Sequence, residues 1–290
     1  MKKNVGKMFI KIIMVILIVG IVGRAVYVLG GIGESYLPEN TVAEISLTGV
    51  IYDSDETIKL LEEFSENDKI KGIIIRVNSP GGVITPTKEI FDYIQTINKP
   101  VYTAMDTIAA SGGYYVSVAC DRIFAMPTTI TGSICVIMKL SNYEKLMNTI
   151  GVKNYILKSG EFKDIGSPDR PMTEADRAIL METVMDMYEQ FIDDIMKRRN
   201  IDEEVLRTNA DGRIFTGRRA FELGFVDNLG SRRDAFEEMK NELKLEKIEL
   251  KNFDKKITFW DKLMGTVKEF KPTAAASFMY LYKADMHNEL

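Results

Sequence analysis

One histidine occurs in the 290 residues of this chain, His287, three positions from the end. Any hydrolase built here must therefore use a base other than a core imidazole. There are two cysteines, Cys120 and Cys135, with no second pair, which fits neither a zinc framework nor a disulfide scaffold. The first 30 residues contain no acid but five basic groups (Lys2, Lys3, Lys7, Lys11 and Arg24), leaving 33 basic against 42 acidic groups in the rest. A body so acidic is a poor partner for nucleic acid. Internal repeats and low-complexity tracts are lacking too. With 46% hydrophobic and 28% charged residues, the composition excludes wholesale disorder and a multi-span membrane protein.

What is present begins with a long apolar run. Met8–Ile32 is interrupted only by Lys11 and Arg24, and a spanning helix needs about 20 apolar residues. Residues 8–30 are therefore expected to be an uncleaved transmembrane signal anchor, since no clean small-x-small cleavage site follows the apolar centre. The lysines of residues 1–7 would stay in the cytoplasm, sending the remainder to the outer face of the membrane. Residues 31–40 read as a polar linker, 41–240 as the main domain, and 241–290 as a C-terminal extension and tail.

The main domain alternates strand and helix patterns. Val42–Ile51 has the β-branched alternation of a strand, and Glu56–Phe64 spaces its apolar residues helically. Ile70–Val77 is a continuous apolar run of buried-strand type, followed by a turn at Asn78–Gly82 and a helix near Thr87–Ile97. Val101–Met105 and Arg122–Ala125 are further strands, with a helix starting near Ser111 between them. This order predicts an α/β fold with a parallel sheet buried on both faces. Thr173 is a good N-cap for a helix to about Arg199, whose stripe Leu180, Val184, Met187, Phe191, Ile195 is expected to pack in the core or against another subunit.

Two glycine-rich turns stand at strand ends, where parallel sheets place ligand sites. In NSPGG, Asn78–Gly82, the glycines let backbone N–H groups face a cleft unobstructed. In AASGG, Ala109–Gly113, Ser111 lies at a helix start among small neighbours. An ordinary turn and an ordinary N-cap serine are the plain alternatives. With His287 remote, a serine nucleophile needs a lysine or carboxylate to take its proton, and a lysine serves only where its surroundings disfavour its charge. Lys163 and Lys158, both in KSGEFKDIG, are candidates between which composition does not choose.

The ordered set NSPGG, AASGGYYVS (109–117), TGSICVI (131–137), KSGEFKDIGSPDRPMTEADR (158–177) and DGRIFTGRRAFELGFVDNLG (211–230) resembles the bacterial signal peptide peptidase SppA family. These are membrane-anchored serine peptidases with a Ser-Lys dyad on a ClpP/crotonase-like fold. The resemblance spans roughly Val42–Leu229. It implies that Ser111 is the nucleophile, Lys163 the general base, and Ser133 the residue that orients the base. It also implies that the backbone N–H groups of Gly82 and Gly112 form the oxyanion hole.

By the same resemblance no cofactor or metal is needed, and the substrates are hydrophobic peptides such as remnant signal peptides. The family's assemblies imply a ring of homo-oligomers, of eight subunits, in which neighbours help build each site. Two departures stand out: Cys135 occupies a usual glycine position, and Asp106 adds a carboxylate close to the nucleophile. The tail Ala274–Tyr282, AAASFMYLY, resembles a signal-peptide end and could enter the site. A crotonase-fold acyl-CoA enzyme and a non-catalytic membrane scaffold are the rival readings.

Overall fold

The computed structural model describes residues 37–245 and 247–254, the backbone of a strand at 278–281, and helical positions 14, 17, 18 and 20. Apart from those four helical positions, the expected span at 8–30 and most of the tail lie outside the described residues. Among the described residues, no helix is long and apolar enough to cross a membrane. The chain divides into two compact units, 1–39 and 40–290, and the second holds the sheet and its covering helices.

The frame of that unit is a run of parallel strands: β1 (Thr41–Thr48), β2 (Ile70–Ser79), β4 (Val101–Ala110), β5 (Arg122–Ala125), β9 (Asn228–Leu229) and β10 (Glu249–Asn252). They lie in the order β10-β1-β2-β4-β5-β9. Ile73, Ile74, Ile75 and Val77 of β2 are fully buried because helices cover both faces of the sheet. On one face, alternate residues Ile74, Tyr102, Ala104 and Phe124 pack with Ala235 and Met239 of α8 (Arg232–Leu243). On the other lie α1 (Asp55–Glu66), α2 (Ile84–Ile94) and α3 (Gly112–Ala119). Every residue of α3 is buried, which suits its all-round apolar sequence.

The sheet is parallel-rich but not wholly parallel. The first half of β4 pairs with β5 and its last three residues pair with β6 (Ile130–Gly132), so β4 carries the chain past the end of β5. Antiparallel β8 (Ile214–Thr216) then adds to β6. Strand β10 joins the sheet beside β1 from within the segment read as an extension.

The expected turn at Asn78–Gly82 is corrected in part. Gly81–Val83 is a short strand, β3, because neighbours on both sides hold this flexible segment extended. Ile51 bridges it on one side, and β11 (Phe278–Leu281) pairs with it on the other. β11 also pairs with β7 (Ile137–Met138), making a three-stranded antiparallel sheet, β3-β11-β7.

Between β7 and β8 come α4 (Glu144–Thr149), α5 (Glu174–Arg198) and α6 (Glu203–Asn209); α7 (Gly217–Glu222) follows β8. Thr173 caps α5 as expected, in a reciprocal capping box with Asp176. Of the expected stripe of α5, Phe191 and Ile195 are buried and Leu180, Val184 and Met187 are half-buried, whereas Ile179, Met181 and Met185, which lie off the stripe, are exposed. At 25 residues the helix is about 37 Å long and overhangs the packed sheet.

Candidate active site

Ser111 stands at the N-cap position of α3, but it does not act as a cap. Its side chain accepts no backbone hydrogen bond, and its backbone lies at φ 54°, ψ −115°, a region that L-residues rarely enter. The strain is held by the ladder: Ser111 N–H donates to Gly132 O at 2.8 Å, and Tyr115 N–H donates to Ser111 O at 2.8 Å. Only 1% of the residue is exposed. The hydroxyl is therefore buried and free of capping duty. Strain of this kind costs roughly 1–3 kcal/mol and persists where the surrounding structure over-determines it.

Ser133 is placed beside it by register. Ala110 pairs with Gly132 across β4 and β6, so the two serines leave adjacent strands at the same level. Ser133 is also at positive φ, 53°, and is held by its N–H donating to Arg213 O at 2.7 Å. No hydrogen bond to either hydroxyl occurs among the described residues.

The two glycines read as an oxyanion hole also come together. A Cβ on Gly112 would lie 3.1 Å from Gly82 N, so the two backbones are in close approach. A Cβ on Gly82 would lie 2.1 Å from Ile51 O, which no side chain could tolerate. Ile51 N–H donates to Gly81 O at 3.0 Å, and Val83 N–H donates to Ile51 O at 2.8 Å. Since peptide groups alternate along a strand, the N–H and C=O of Gly82 face the other way. They point toward β11, which pairs Tyr280 with Gly82.

The Lys163 amine makes no hydrogen bond to Ser111. The residue lies exposed in a turn, with its N–H donating to Gly160 O at 3.2 Å, and its amine makes no hydrogen bond or ion pair among the described residues. Lys158 is already engaged. Its ammonium donates to Glu161 O at 2.6 Å and to Asp164 at 2.7 Å. Asp164 in turn pairs with Arg170, which bridges to Asp176 in the α5 capping box. The guanidinium of Arg170 holds the carboxyls of Asp164 and Asp176 well below the usual carboxylate range, with help from Lys158 and from the Thr173 backbone respectively. The segment Tyr143–Phe162 leading to Lys163 leaves eight large apolar or aromatic side chains exposed, Leu157 completely so.

Both departures from the family pattern have definite surroundings. Asp106 pairs with Arg76 and lines a cleft with Arg232, the first residue of α8. Cys135 is partly exposed, and burial raises its thiol pKa. Other contributors escaped the sequence reading. Ile137 and Met138 pair with β11 on the side away from β3, and their only signal was a short apolar run after TGS. Asp194, buried on α5, accepts a hydrogen bond from Tyr115 Oη and so anchors the helix carrying Ser111. An acid embedded in the apolar run FIDDI was its trace.

Residues 94–246 match the family model described as Peptidase family S49, and residues 41–132 match that described as Clp protease. The chain is 36% identical over 256 residues to a protein of Enterococcus faecium provisionally named signal peptide peptidase SppA, covering 79% of this chain and 74% of that one. It is 38% identical over 198 residues to a provisionally named protease of Synechocystis sp., covering 67% and 71%. Against Protease 4 of Haemophilus influenzae identity is 30% over 214 residues, covering 70% of this chain and 35% of that one. The α/β core and these matches define a serine peptidase of the Clp-protease-like class. Within that class, the chain belongs to peptidase family S49.

Proposed function

We propose that the protein is a membrane-anchored endopeptidase that cleaves extended hydrophobic peptides, such as remnant signal peptides, through Ser111 and Lys163. The observation that carries this reading is the peptide slot. A strand seated between β3 and β7 lies antiparallel to both, with the peptide unit at register 280 facing Gly82. Strained Ser111 and Gly112 lie on the same side of the sheet end.

In the proposed reaction the Lys163 amine takes the Ser111 Oγ proton as that oxygen attacks the carbonyl over Gly82. The N–H groups of Gly82 and Gly112 receive the oxyanion, and the lysine then protonates the departing amine. Water then attacks the acyl carbonyl as the Lys163 amine takes its proton, and that proton passes to Ser111 Oγ as the ester bond breaks and the acid leaves. Ser133 holds the lysine amine toward Ser111.

Because Lys163 is exposed and unpaired with the serine in one protomer, its partner serine belongs to a neighbouring copy. The exposed apolar surface of Tyr143–Phe162 supports docking between copies, in a ring read as eight subunits. The basic start and the apolar run at 8–30 support an anchor that leaves the catalytic domain on the extracytoplasmic face. The chain's own segment at 278–281 takes the place of a substrate strand, consistent with a tail that is clipped or acts as a plug.

The test is a pair of lysine variants and a mixture. Lys163→Ala abolishes peptide hydrolysis while Lys158→Ala retains it. Co-assembling Ser111→Ala with Lys163→Ala subunits restores part of the activity, since some interfaces then hold both intact residues. Full activity of Lys163→Ala alone would refute the dyad.

A further inference from the structure

The geometry points to Ser79 as a positioning residue of the oxyanion hole: its hydroxyl latches the peptide unit between Gly81 and Gly82 with the Gly82 N–H aimed into the slot. The inference rests on the reading of Gly82 and Gly112 as the oxyanion donors, and adds to it what holds the first of them in place.

The Gly82 N–H shares its peptide unit with the Gly81 carbonyl, and across a trans peptide the two point in opposite directions. Gly81 O accepts from Ile51 N–H at 3.0 Å, so the Gly82 N–H is turned away from Ile51. Gly81 itself stands at φ 106°. With glycine on both sides, no Cβ resists rotation of this unit about its Cα–Cα axis. Half a turn would swing Gly81 O into the slot and the donor out of it. Pro80 stiffens the chain just before, so the soft point is confined to Gly81 and Gly82.

Ser79 is the side chain that spans the soft point. Its Oγ accepts from Gly81 N–H at 3.1 Å and lies 3.4 Å from Gly81 O, so one hydroxyl contacts both peptide units that flank Gly81. The residue is fully buried. It is fixed in turn by its register against Ala109, two residues before Ser111, beyond an irregularity where β4 carries extra residues opposite Val77–Ser79. A Cβ on Gly113 would lie 2.7 Å from Ser79 O, so the start of α3 packs on the same residue. Ser79 thus ties the donor unit to the strand that leads into Ser111 and to the helix that leads out of it. Without its oxygen, Gly81 N–H is buried and unpaired, and the native arrangement loses about tenfold to a hundredfold of its advantage over rotated ones.

The experiment uses the full-length protein, a fluorogenic peptide and a peptide aldehyde. Ser111 Oγ adds to the aldehyde carbon, its proton passes to the Lys163 amine, and the former carbonyl oxygen takes the oxyanion's place. Ser79→Ala is expected to lower kcat about tenfold to a hundredfold with KM unchanged, and to weaken aldehyde binding by the same factor, because the donor acts only on the transition state. Ser79→Thr keeps the hydroxyl and is expected to keep most of the activity. Ser79→Cys keeps the shape but accepts hydrogen bonds weakly, and is expected to resemble alanine. Thr103→Val is the control. Thr103 is buried in the first half of β4 and its Oγ1 donates to Cys120 Sγ at 2.9 Å, so this change removes a buried hydroxyl away from the slot and leaves kcat unchanged.

An unchanged kcat in Ser79→Ala, or a rise in KM alone, would overturn the latch. So would an aldehyde bound as tightly by Ser79→Ala as by the wild type, or an equal loss of kcat in Thr103→Val. Should Ser79→Ala not fold, the threonine and cysteine variants carry the same comparison, and an active Ser79→Cys beside an inactive Ser79→Thr refutes the role of the hydroxyl. Cleavage that survives Ser111→Ala refutes the underlying peptidase site instead.

Discussion

Replacing Ser111 by glycine should make the protein inactive and more stable, whereas replacing it by alanine should make it inactive with stability unchanged. At φ 54°, ψ −115° the Cβ of Ser111 is in conflict with its own backbone. That conflict costs about 1–3 kcal/mol, and alanine retains it because it retains the Cβ. Glycine removes it but adds conformational freedom to the unfolded chain, an opposing term of about 0.5–1 kcal/mol. At the midpoints of those ranges the net gain is about 1.3 kcal/mol. At 2–4 °C per kcal/mol for a domain of this size, Tm should rise by roughly 3–5 °C for Ser111→Gly over Ser111→Ala. Thermal unfolding of the two variants checks this directly, and neither can cleave its own tail during the measurement. A glycine variant no more stable than the alanine variant would mean that the serine is not strained, and the idea of a pre-set nucleophile would fail.

Individual contacts lead to further expectations. Gly82→Ala drives a Cβ to 2.1 Å from Ile51 O, so the β3 edge must shift and kcat should fall by about 10²–10³; steady-state hydrolysis by soluble protein measures it. Gly72→Ala is the control. Its Cβ would lie 2.5 Å from Met239 Sδ, a flexible side chain in the core far along β2, and activity should be retained. Arg170 holds Asp164 and Asp176 below their usual range, so these carboxylates contribute stability above about pH 4 that is lost as the pH falls. Arg170→Ala should therefore lower stability at pH 7 and flatten its decline below pH 4, as read by denaturant titrations across pH. An unchanged pH dependence would count against that network.

The parts of this fold that depend on local pattern are legible in the sequence. β2 announces itself in IIIRV, β5 in RIFA, and α5 in a capping threonine followed by 25 helical residues. The parts that depend on distant partners are not. Gly81–Val83 looks like a turn in sequence and becomes a strand only because Ile51 and Phe278–Leu281 flank it. β7 is two residues long, too short to leave a periodic trace. The helical stripe of α5 has one spacing throughout, yet only Phe191 and Ile195 are fully buried, while Leu180, Val184 and Met187 stay half-exposed. The site divides in the same way. Ser111, Gly82, Gly112 and Ser133 converge through strand register and close backbone approach, so motif order alone is a fair guide to their proximity. Lys158 and Lys163 cannot be separated by composition. Their surroundings differ in the fold: Lys158 is engaged by Asp164 and the Glu161 carbonyl, whereas the Lys163 amine makes no hydrogen bond among the described residues.

The central claim is that Ser111 is the nucleophile and depends on Lys163. It is tested most directly by labelling the full-length protein with a fluorophosphonate and mapping the modified peptide by mass spectrometry. The dyad predicts one label, on Ser111, absent in Ser111→Ala and strongly reduced in Lys163→Ala. Labelling of a different serine, or undiminished labelling of Ser111 without Lys163, would contradict it.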